Sequence, residues 1–199
     1  MSLRVYAVVP GATRAPGGPL RLVTVGRLAA AVERGRVRAA TPRNLVAYDR
    51  QMRVLADRAA AILPARFNTI VADEEEIATI LRLRRARLGA ALKNVRGRVQ
   101  MTVRVPVAPV GRALPGSAPG TAYLRSRRIP ELDPLRAATK RWVRDERIEP
   151  REGLASIYHL VPGTAVDAYR DALIAAADAA GVRLVVTGPF PPYAFAQGW

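Results

Sequence analysis

Residues 181–195 read Gly-Val-Arg-Leu-Val-Val-Thr-Gly-Pro-Phe-Pro-Pro-Tyr-Ala-Phe, and this stretch says more about the fold than any other part of the chain. It begins where a helical pattern ends. Apolar residues recur every three or four positions over 166–180, and Gly181 is of the type that most often terminates a helix. Thr164, with an acidic residue three positions on, predicts a capping box at the start of that helix. The β-branched run at 182–187 then predicts a strand.

A rigid turn should follow this strand. Gly188 permits backbone angles that other residues avoid. Three prolines follow within the next four positions, Pro189, Pro191 and Pro192, and each fixes its φ angle and so stiffens the turn. Three aromatic side chains are then expected to hold the chain end against a sheet: Phe190, Tyr193 and Phe195.

Working back from this stretch, the second half of the chain predicts a ferredoxin-like arrangement. Residues 156–161 are apolar enough for a strand, and 134–147 favour a charged helix. Residues 98–105 alternate apolar and polar side chains, as a half-buried strand does. The last 80 residues suggest a compact β-α-β-β-α-β arrangement in which the order of one strand is left open.

A break rich in proline and glycine separates this part from the first half. Residues 106–120 contain four prolines and three glycines, which favours a loop or linker. We therefore predict an α+β protein of two small domains: an N-terminal α+β domain at 1–105 and a C-terminal ferredoxin-like domain at 106–199. The alternative is that 98–105 is the first strand of the second domain.

The first half predicts a hairpin followed by helices. Residues 5–9 and 20–25 favour two strands, and 28–33 favours a short helix. Thr41 and Pro42 are a typical N-cap and first helical residue for a helix that ends before Pro64. Residues 66–71 then form a short strand or extended segment.

A further helix is predicted from Asp73 to Gly97. Asp73 can cap it and Glu76 can complete a capping box. Its second half carries a set of cations that could form a partner surface together with the strand that follows: Arg82, Arg84, Arg85, Arg87, Lys93, Arg96 and Arg98. The alternative is a solvated helix face that the acidic residues 74–76 balance.

The chain is strongly basic. Its 199 residues include 32 Lys and Arg against 16 Asp and Glu, which gives a formal charge of +16. Residues 152–199 hold four acidic and two basic residues, so the whole excess lies in 1–151. Such a field favours an anionic partner, which could be an acidic protein face, nucleic acid or anionic lipid.

Catalytic patterns are absent from the sequence. There is no cysteine and only one histidine, His159, which we interpret as a satisfied strand residue. The glycine-rich stretch 11–18 has neither phosphate-loop nor dinucleotide-binding spacing. No apolar run approaches the roughly 20 residues that span a bilayer, and the start of the chain favours a strand over a signal peptide. We therefore expect no enzyme, metal site or cofactor.

Four segments together resemble the gas vesicle synthesis family GvpL/GvpF. Residues 181–195 are similar to its strand followed by Thr-Gly-Pro-Trp-Pro-Pro-Tyr-Ser-Phe, and 63–70 to its Leu-Pro-x-Arg-Phe-Gly-Thr. Residues 97–105 resemble Gly-x-Val-Glu-x-x-Val-x-Val, and 120–124 resemble Gly-x-x-Tyr-Leu. The chain departs from these motifs at Phe190, Asn68 and Gln100, where the family has Trp, Gly and Glu.

The resemblance implies a structural or partner-binding role for the motif positions, which are Leu63, Pro64, Arg66, Phe67, Thr69, Gly97, Val99, Tyr123, Thr187, Gly188, Pro189, Phe190, Pro191, Pro192, Tyr193 and Phe195. It also implies a non-enzymatic accessory or structural protein of gas vesicle assembly. Such a protein would bind the shell protein GvpA and other vesicle proteins, in the cytoplasm and associated with the vesicle. From charge alone, the alternative is a basic nucleic-acid-binding module. Aromatic residues are 6% of the chain and do not interleave with the arginines, which disfavours stacking on single-stranded bases.

Overall fold

The computed structural model of the chain describes residues 2–106, 132–151 and 153–196. The chain divides into two compact units. Unit 1 comprises Met1–Arg98 and Phe190–Trp199, and unit 2 comprises Val99–Pro189. The predicted linker at 106–120 and the motif residue Tyr123 lie almost wholly outside the described residues, since only Pro106 is included.

Unit 1 is built on a four-stranded antiparallel sheet. Its strands, in the spatial order β2-β3-β1-β4, are β1 (Leu3–Pro10), β2 (Arg21–Val25), β3 (Leu28–Arg34) and β4 (Leu63–Val71). The predicted short helix at 28–33 is wrong, because these residues form β3. Its alanine-rich sequence favours a helix locally, but β3 pairs with β1 on one side and β2 on the other, and this pairing overrides local propensity.

Helix α1 (Pro42–Arg58) covers this sheet and begins as predicted. The Thr41 side chain accepts a hydrogen bond from the Asn44 N–H at 3.3 Å, and Pro42 is the first helical residue. Its buried side chains, Tyr48, Met52 and Leu55, join a core formed with β1 and β3.

The single helix predicted from Asp73 to Gly97 is two helices, α2 (Glu74–Leu83) and α3 (Arg85–Val95). The predicted cap is confirmed, because the Asp73 side chain accepts from the Glu76 N–H at 2.9 Å and Glu76 accepts from the Ala72 N–H at 2.6 Å. In a continuous helix, Arg84 would lie on the buried face that carries Ile77 and Leu88. Breaking the helix at Arg84 leaves this guanidinium exposed and avoids the cost of burying a charge.

Unit 2 contains a second four-stranded sheet, in the order β6-β7-β5-β8. The helices and strands among its described residues are β5 (Arg98–Pro106), α4 (Asp133–Thr139), β6 (Asp145–Arg151), β7 (Leu154–Pro162), α5 (Val166–Ala180) and β8 (Val185–Phe190). Within the unit the strands therefore stand in the order 2-3-1-4, with helices after the first and third. This is the ferredoxin-like topology that the sequence predicts.

Two local predictions in unit 2 are wrong. The helix expected at 134–147 ends at Thr139, and the charged residues after it form β6, which pairs with β7 along seven residues. β6 lies at the edge of the sheet, where charged side chains are typical. Its charged residues lack the apolar alternation of a central strand, so the sequence is interpreted as a continuation of the charged helix. The capping box at Thr164 does not form, because a 3₁₀ turn at Gly163–Ala165 precedes α5 and no side chain caps the helix.

The end of α5 follows the prediction more closely. Gly181 adopts a left-handed conformation with φ of 64° and terminates the helix. The strand begins at Val185 and continues to Phe190, so it starts and ends three residues later than predicted. Gly188 has a φ of 122°, and the peptide bond between Gly188 and Pro189 is cis.

The two sheets share one topology. In unit 1 the strands also stand in the order 2-3-1-4, with α1 between the third and fourth strands. Unit 1 differs in joining its first two strands without a helix and in adding α2 and α3 after the fourth. The sequence shows no internal repeat, so this similarity is visible only in the topology.

The extent of each unit differs from the predicted domains. The prediction assigned 98–105 to the first domain and the chain end to the second. All of β5 except its first residue, Arg98, is grouped instead with unit 2, which is close to the alternative left open by the sequence. Phe190–Trp199 is grouped with unit 1.

Candidate partner-binding surface

Most of the predicted basic residues lie on one exposed part of unit 1. Arg98 is the exception, because it is half-buried and its guanidinium donates to the Oδ1 of Asn94 at 3.1 Å. The exposed members are Arg82, Arg84, Arg85, Arg87, Lys93 and Arg96.

Four of these arginines flank the break between α2 and α3. We call residues 82–87 the α2–α3 knuckle. All six of its residues are exposed, and it is held at both ends by the buried side chains of Leu81 and Leu88. The knuckle also contains Leu83, whose exposed fraction of 81% is larger than that of any other large apolar residue in the described part of the chain.

The acidic residues at the start of α2 do not neutralise the knuckle. Glu74 forms an ion pair with Arg21, and Glu76 accepts from the backbone at Ala72. Within residues 2–106, 132–151 and 153–196, five of the exposed cations take part in no salt bridge: Arg82, Arg85, Arg87, Lys93 and Arg96. These five cations are therefore exposed to solvent without ion pairs, which fits both a partner surface and the solvated face that the sequence offered as an alternative.

The segment at 63–69 is organised around aromatic contacts in unit 1. Leu63 and Pro64 are buried in β4, and Phe67 packs edge-on against Tyr48 with ring centroids 5.5 Å apart. The Tyr48 ring stacks on Tyr6 at 5.1 Å, and its hydroxyl donates to the Ala65 carbonyl at 2.6 Å. Burial raises the pKa of the Tyr48 phenol well above its usual value.

Asn68 explains one departure from the family motif. It has a φ of 65°, in the left-handed region, where Gly is the easiest residue and Asn the next. Its side chain bonds both backbone groups of Arg38, donating to the carbonyl at 2.7 Å and accepting from the N–H at 3.0 Å. Two other motif residues lie close by, as Arg66 is exposed and Thr69 donates to the Arg66 carbonyl at 2.8 Å.

The C-terminal motif is divided between the two units. In unit 2, the Thr187 hydroxyl donates to the Thr102 carbonyl at 3.5 Å, and the Gly188 carbonyl accepts from Arg170 at 3.3 Å. Val99 packs against the core of the same unit. Gly97 belongs to unit 1, has a φ of 65° and ends the turn that precedes β5.

The end of the motif belongs to unit 1, where a 3₁₀ turn at Tyr193–Phe195 contacts β4. Pro191, Pro192 and Phe195 are buried, and Phe190 is half-buried. Tyr193 remains 36% exposed and lies near Asp49 and Arg53 of α1. Phe195 is therefore the principal aromatic anchor, and Tyr193 contributes less burial than the sequence suggests.

The single histidine is satisfied, as predicted. His159 is 3% exposed; its Nδ1 lies 2.6 Å from the Tyr169 hydroxyl and its Nε2 lies 2.9 Å from Glu146. Arg136 makes a two-point contact with the same carboxylate. Burial alone would raise the pKa of Glu146, but the hydrogen bonds and charges of His159 and Arg136 outweigh it and lower that pKa to about 2.

A second buried network stabilises unit 1. The Arg4 guanidinium, 2% exposed, donates to Glu33 and to the Arg36 carbonyl, both at 2.7 Å. The Tyr6 hydroxyl donates to the same Glu33 carboxylate at 2.7 Å. Sequence reasoning missed both networks, because their members come from separate elements and no motif spacing links them.

Neither a metal-binding cluster nor a membrane-spanning helix is found among the described residues. In the described part of the chain, no three His, Asp or Glu side chains are grouped to hold a metal ion. None of the helices described is both long and apolar enough to cross a membrane.

The fold and surface define a two-unit α+β protein with one ferredoxin-like unit and a basic, leucine-bearing knuckle on the other. The chain belongs to the gas vesicle synthesis protein GvpL/GvpF family, whose model matches residues 3–132 and 124–197.

Solved structures show the same fold. The crystal structure of the gas vesicle protein GvpF from Anabaena sp. PCC7120 superposes with a TM-score of 0.77 at 15% identity, covering 100% of this chain and 99% of that one. The corresponding GvpF structure from Microcystis aeruginosa gives 0.75 at 12% identity, covering 99% of both chains. No curated protein sequence matches this chain.

Proposed function

We propose that this protein is a non-catalytic accessory factor of gas vesicle assembly that binds the shell protein GvpA and other vesicle proteins. The observation that carries the proposal is the family match, whose two segments together span residues 3–197. On this proposal the protein acts in the cytoplasm, associated with the growing vesicle.

The geometry supports binding in preference to catalysis. Both ring nitrogens of His159 are engaged by neighbours, and the imidazole is buried. A general base must reach the proton that it abstracts, and His159 lacks the exposure to do so. The exposed features of unit 1, in contrast, combine charge with an apolar side chain, which is typical of a protein interface.

The second candidate function is non-specific nucleic-acid binding, which the formal charge of +16 favours. The two functions differ in their response to salt. Binding to duplex DNA through phosphates should weaken steeply, with a log–log slope of about −0.9 for each phosphate neutralised. If the protein docks on a shell protein through an apolar contact with charge steering, rising salt should slow association more than it weakens the affinity.

The test is co-purification of tagged protein with GvpA, alongside a mobility shift with random duplex DNA, both near physiological salt. We expect capture of GvpA and weak, salt-sensitive DNA binding. Tight DNA binding without capture of GvpA would overturn the proposed function and favour the second candidate.

A further inference from the structure

We infer that the α2–α3 knuckle is a docking site for an acidic protein segment that carries an exposed leucine or similar aliphatic residue. This inference deepens the proposed function and rests on it only for the identity of the partner as a vesicle protein.

The first feature is the position of the cations on α3. Arg85 and Arg87 lie in its first turn, at the positive end of the helix dipole, where cations are unfavourable. That turn contains no acidic residue, and no side chain caps it. These arginines therefore weaken the isolated helix, and an anionic partner would remove the penalty.

The second feature is Leu83. An apolar side chain exposed to 81% contributes little to its own fold, yet this one stands between Arg82 and Arg84. A partner that brought an aliphatic side chain against Leu83 and carboxylates against the arginines would gain apolar burial and charge-assisted hydrogen bonds together. Such an apolar centre with a charged rim is the usual anatomy of a protein interface.

The third feature is the extent of the basic surface along α3. Beyond the knuckle, exposed cations continue to Lys93 in the last turn of α3 and to Arg96, which is its C-cap residue. From Arg85 to Arg96 they extend over about 16 Å, from a rise of 1.5 Å per residue. A helical partner segment of three to four turns would match the length of this surface.

The surroundings of the knuckle limit how an anionic partner can lie on it. The exposed carboxylates of Glu74 and Glu75 lie within about 15 Å of the knuckle along α2, from a rise of 1.5 Å per residue, and would repel any polyanion laid along that helix. A short acidic segment that lies along α3 avoids them, whereas a long phosphate backbone that continues past the knuckle does not. No aromatic residue lies within 82–98 to stack on bases.

The experiment measures binding of the full chain at 150 mM salt to a labelled 18-residue helical peptide with glutamates flanking a stripe of three leucines. Two comparison probes are the same peptide with glutamine for glutamate, and a random 20-base-pair DNA duplex. The variants are Arg82→Glu/Arg85→Glu and Leu83→Ser. The matched control, Arg43→Glu/Arg50→Glu, changes the same charge at exposed positions of α1. Thermal melts establish that each variant is folded.

We expect the knuckle double variant to weaken binding of the glutamate peptide at least 10-fold, the control less than 2-fold, and Leu83→Ser about 3- to 10-fold. The glutamine peptide should bind at least 10-fold more weakly than the glutamate peptide. Equal loss in the control would overturn the inference in favour of non-specific charge attraction. So would an unchanged affinity in Leu83→Ser, tighter binding of the duplex than of the peptide, or no peptide binding.

The knuckle variants also separate this inference from the proposed function. Capture of GvpA that persists in the knuckle double variant would refute the knuckle as the vesicle-protein site while the assembly role stands. Peptide binding at the knuckle without any capture of GvpA by the wild type would refute the proposed partner and leave the docking site supported.

Discussion

At the scale of single residues, Gly188 and Gly89 should respond in opposite ways to alanine. Gly188 has a φ of 122°, and a Cβ there would lie 2.8 Å from the Gln100 carbonyl oxygen. We expect Gly188→Ala to lower the free energy of unfolding by about 1–3 kcal/mol. Gly89 lies inside α3 with nothing within 4 Å of its Cβ position, so Gly89→Ala should raise it by about 0.5–1 kcal/mol. Chemical denaturation of both variants measures the pair, and a harmless Gly188→Ala would contradict the close approach.

The aromatic residues at the chain end also differ in importance. Phe195 is 4% exposed, so Phe195→Ala should cost about 3 kcal/mol, as truncation of a buried aromatic does. Tyr193 is 36% exposed, so Tyr193→Ala should cost about 1 kcal/mol, because less apolar surface is lost. Denaturation midpoints of the two variants decide the order. A larger effect at Tyr193 would contradict the order that their burial predicts.

Glu146 should make unit 2 sensitive to acid. Its pKa is lowered in the folded state to about 2 from an ordinary value of 4.5, so ionised Glu146 stabilises the fold above pH 4.5. This contribution is lost as the pH falls from 4.5 towards 2. Glu146→Gln should therefore be less stable than the wild type at pH 7 and should lose less stability on acidification. Denaturation curves from pH 2 to 7 test this, with Glu149→Gln as a control that should keep the dependence of the wild type.

At the scale of elements, two similar sequences at helix starts differ in whether the side-chain cap forms. Asp73 caps α2, so Asp73→Ala should cost about 1 kcal/mol. Thr164 begins a similar pattern, but the 3₁₀ turn before α5 displaces it from the cap position, so Thr164→Ala should change stability by less than about 0.5 kcal/mol. Thermal or chemical melts distinguish them, and equal losses would mean that Thr164 does cap α5.

α2 ends without a helix-breaking residue such as glycine or proline. No glycine or proline lies between Ile77 and Leu88, and the apolar spacing alone predicts one helix. The decisive residue is Arg84, whose place in a continuous helix would be on the buried face. Leu83 and the flanking arginines lie exposed at the resulting corner.

At the scale of the whole molecule, the chain end returns to the unit in which the chain began. Residues after Phe190 are grouped with unit 1, where the 3₁₀ turn contacts β4. A chain truncated after Phe190 should therefore show faster amide hydrogen exchange in β4, while β6 and β7 of unit 2 keep their protection. Exchange measured by mass spectrometry on the truncated and full chains tests this. Loss of protection confined to β7 would instead support a C-terminal domain running to the chain end.

The uneven charge also belongs to this scale. Acidic and basic residues nearly balance in 152–199, and the excess of cations lies in the first three quarters of the sequence. A field of this kind raises association rates with acidic partners but does not determine the fold.

The sequence by itself determined the fold class, the starts of α1 and α2 and the family, and it indicated a ferredoxin-like second half without locating the edge strand β6. Each of these depends on local patterns: an alternation along 98–105, a capping residue such as Thr41 or Asp73, or the motif at 181–195. Such patterns act between near neighbours, so they can be read from the order of residues alone.

Only the tertiary structure decided which residues meet across the chain. It made a strand of the alanine-rich residues in β3, because pairing on both sides outweighs helix propensity. It brought Glu146 to His159 and placed Phe195 with β4. It also broke the helix at Arg84 and so formed the knuckle, because burial of a charged side chain depends on what lies beneath the helix and not on its neighbours in sequence.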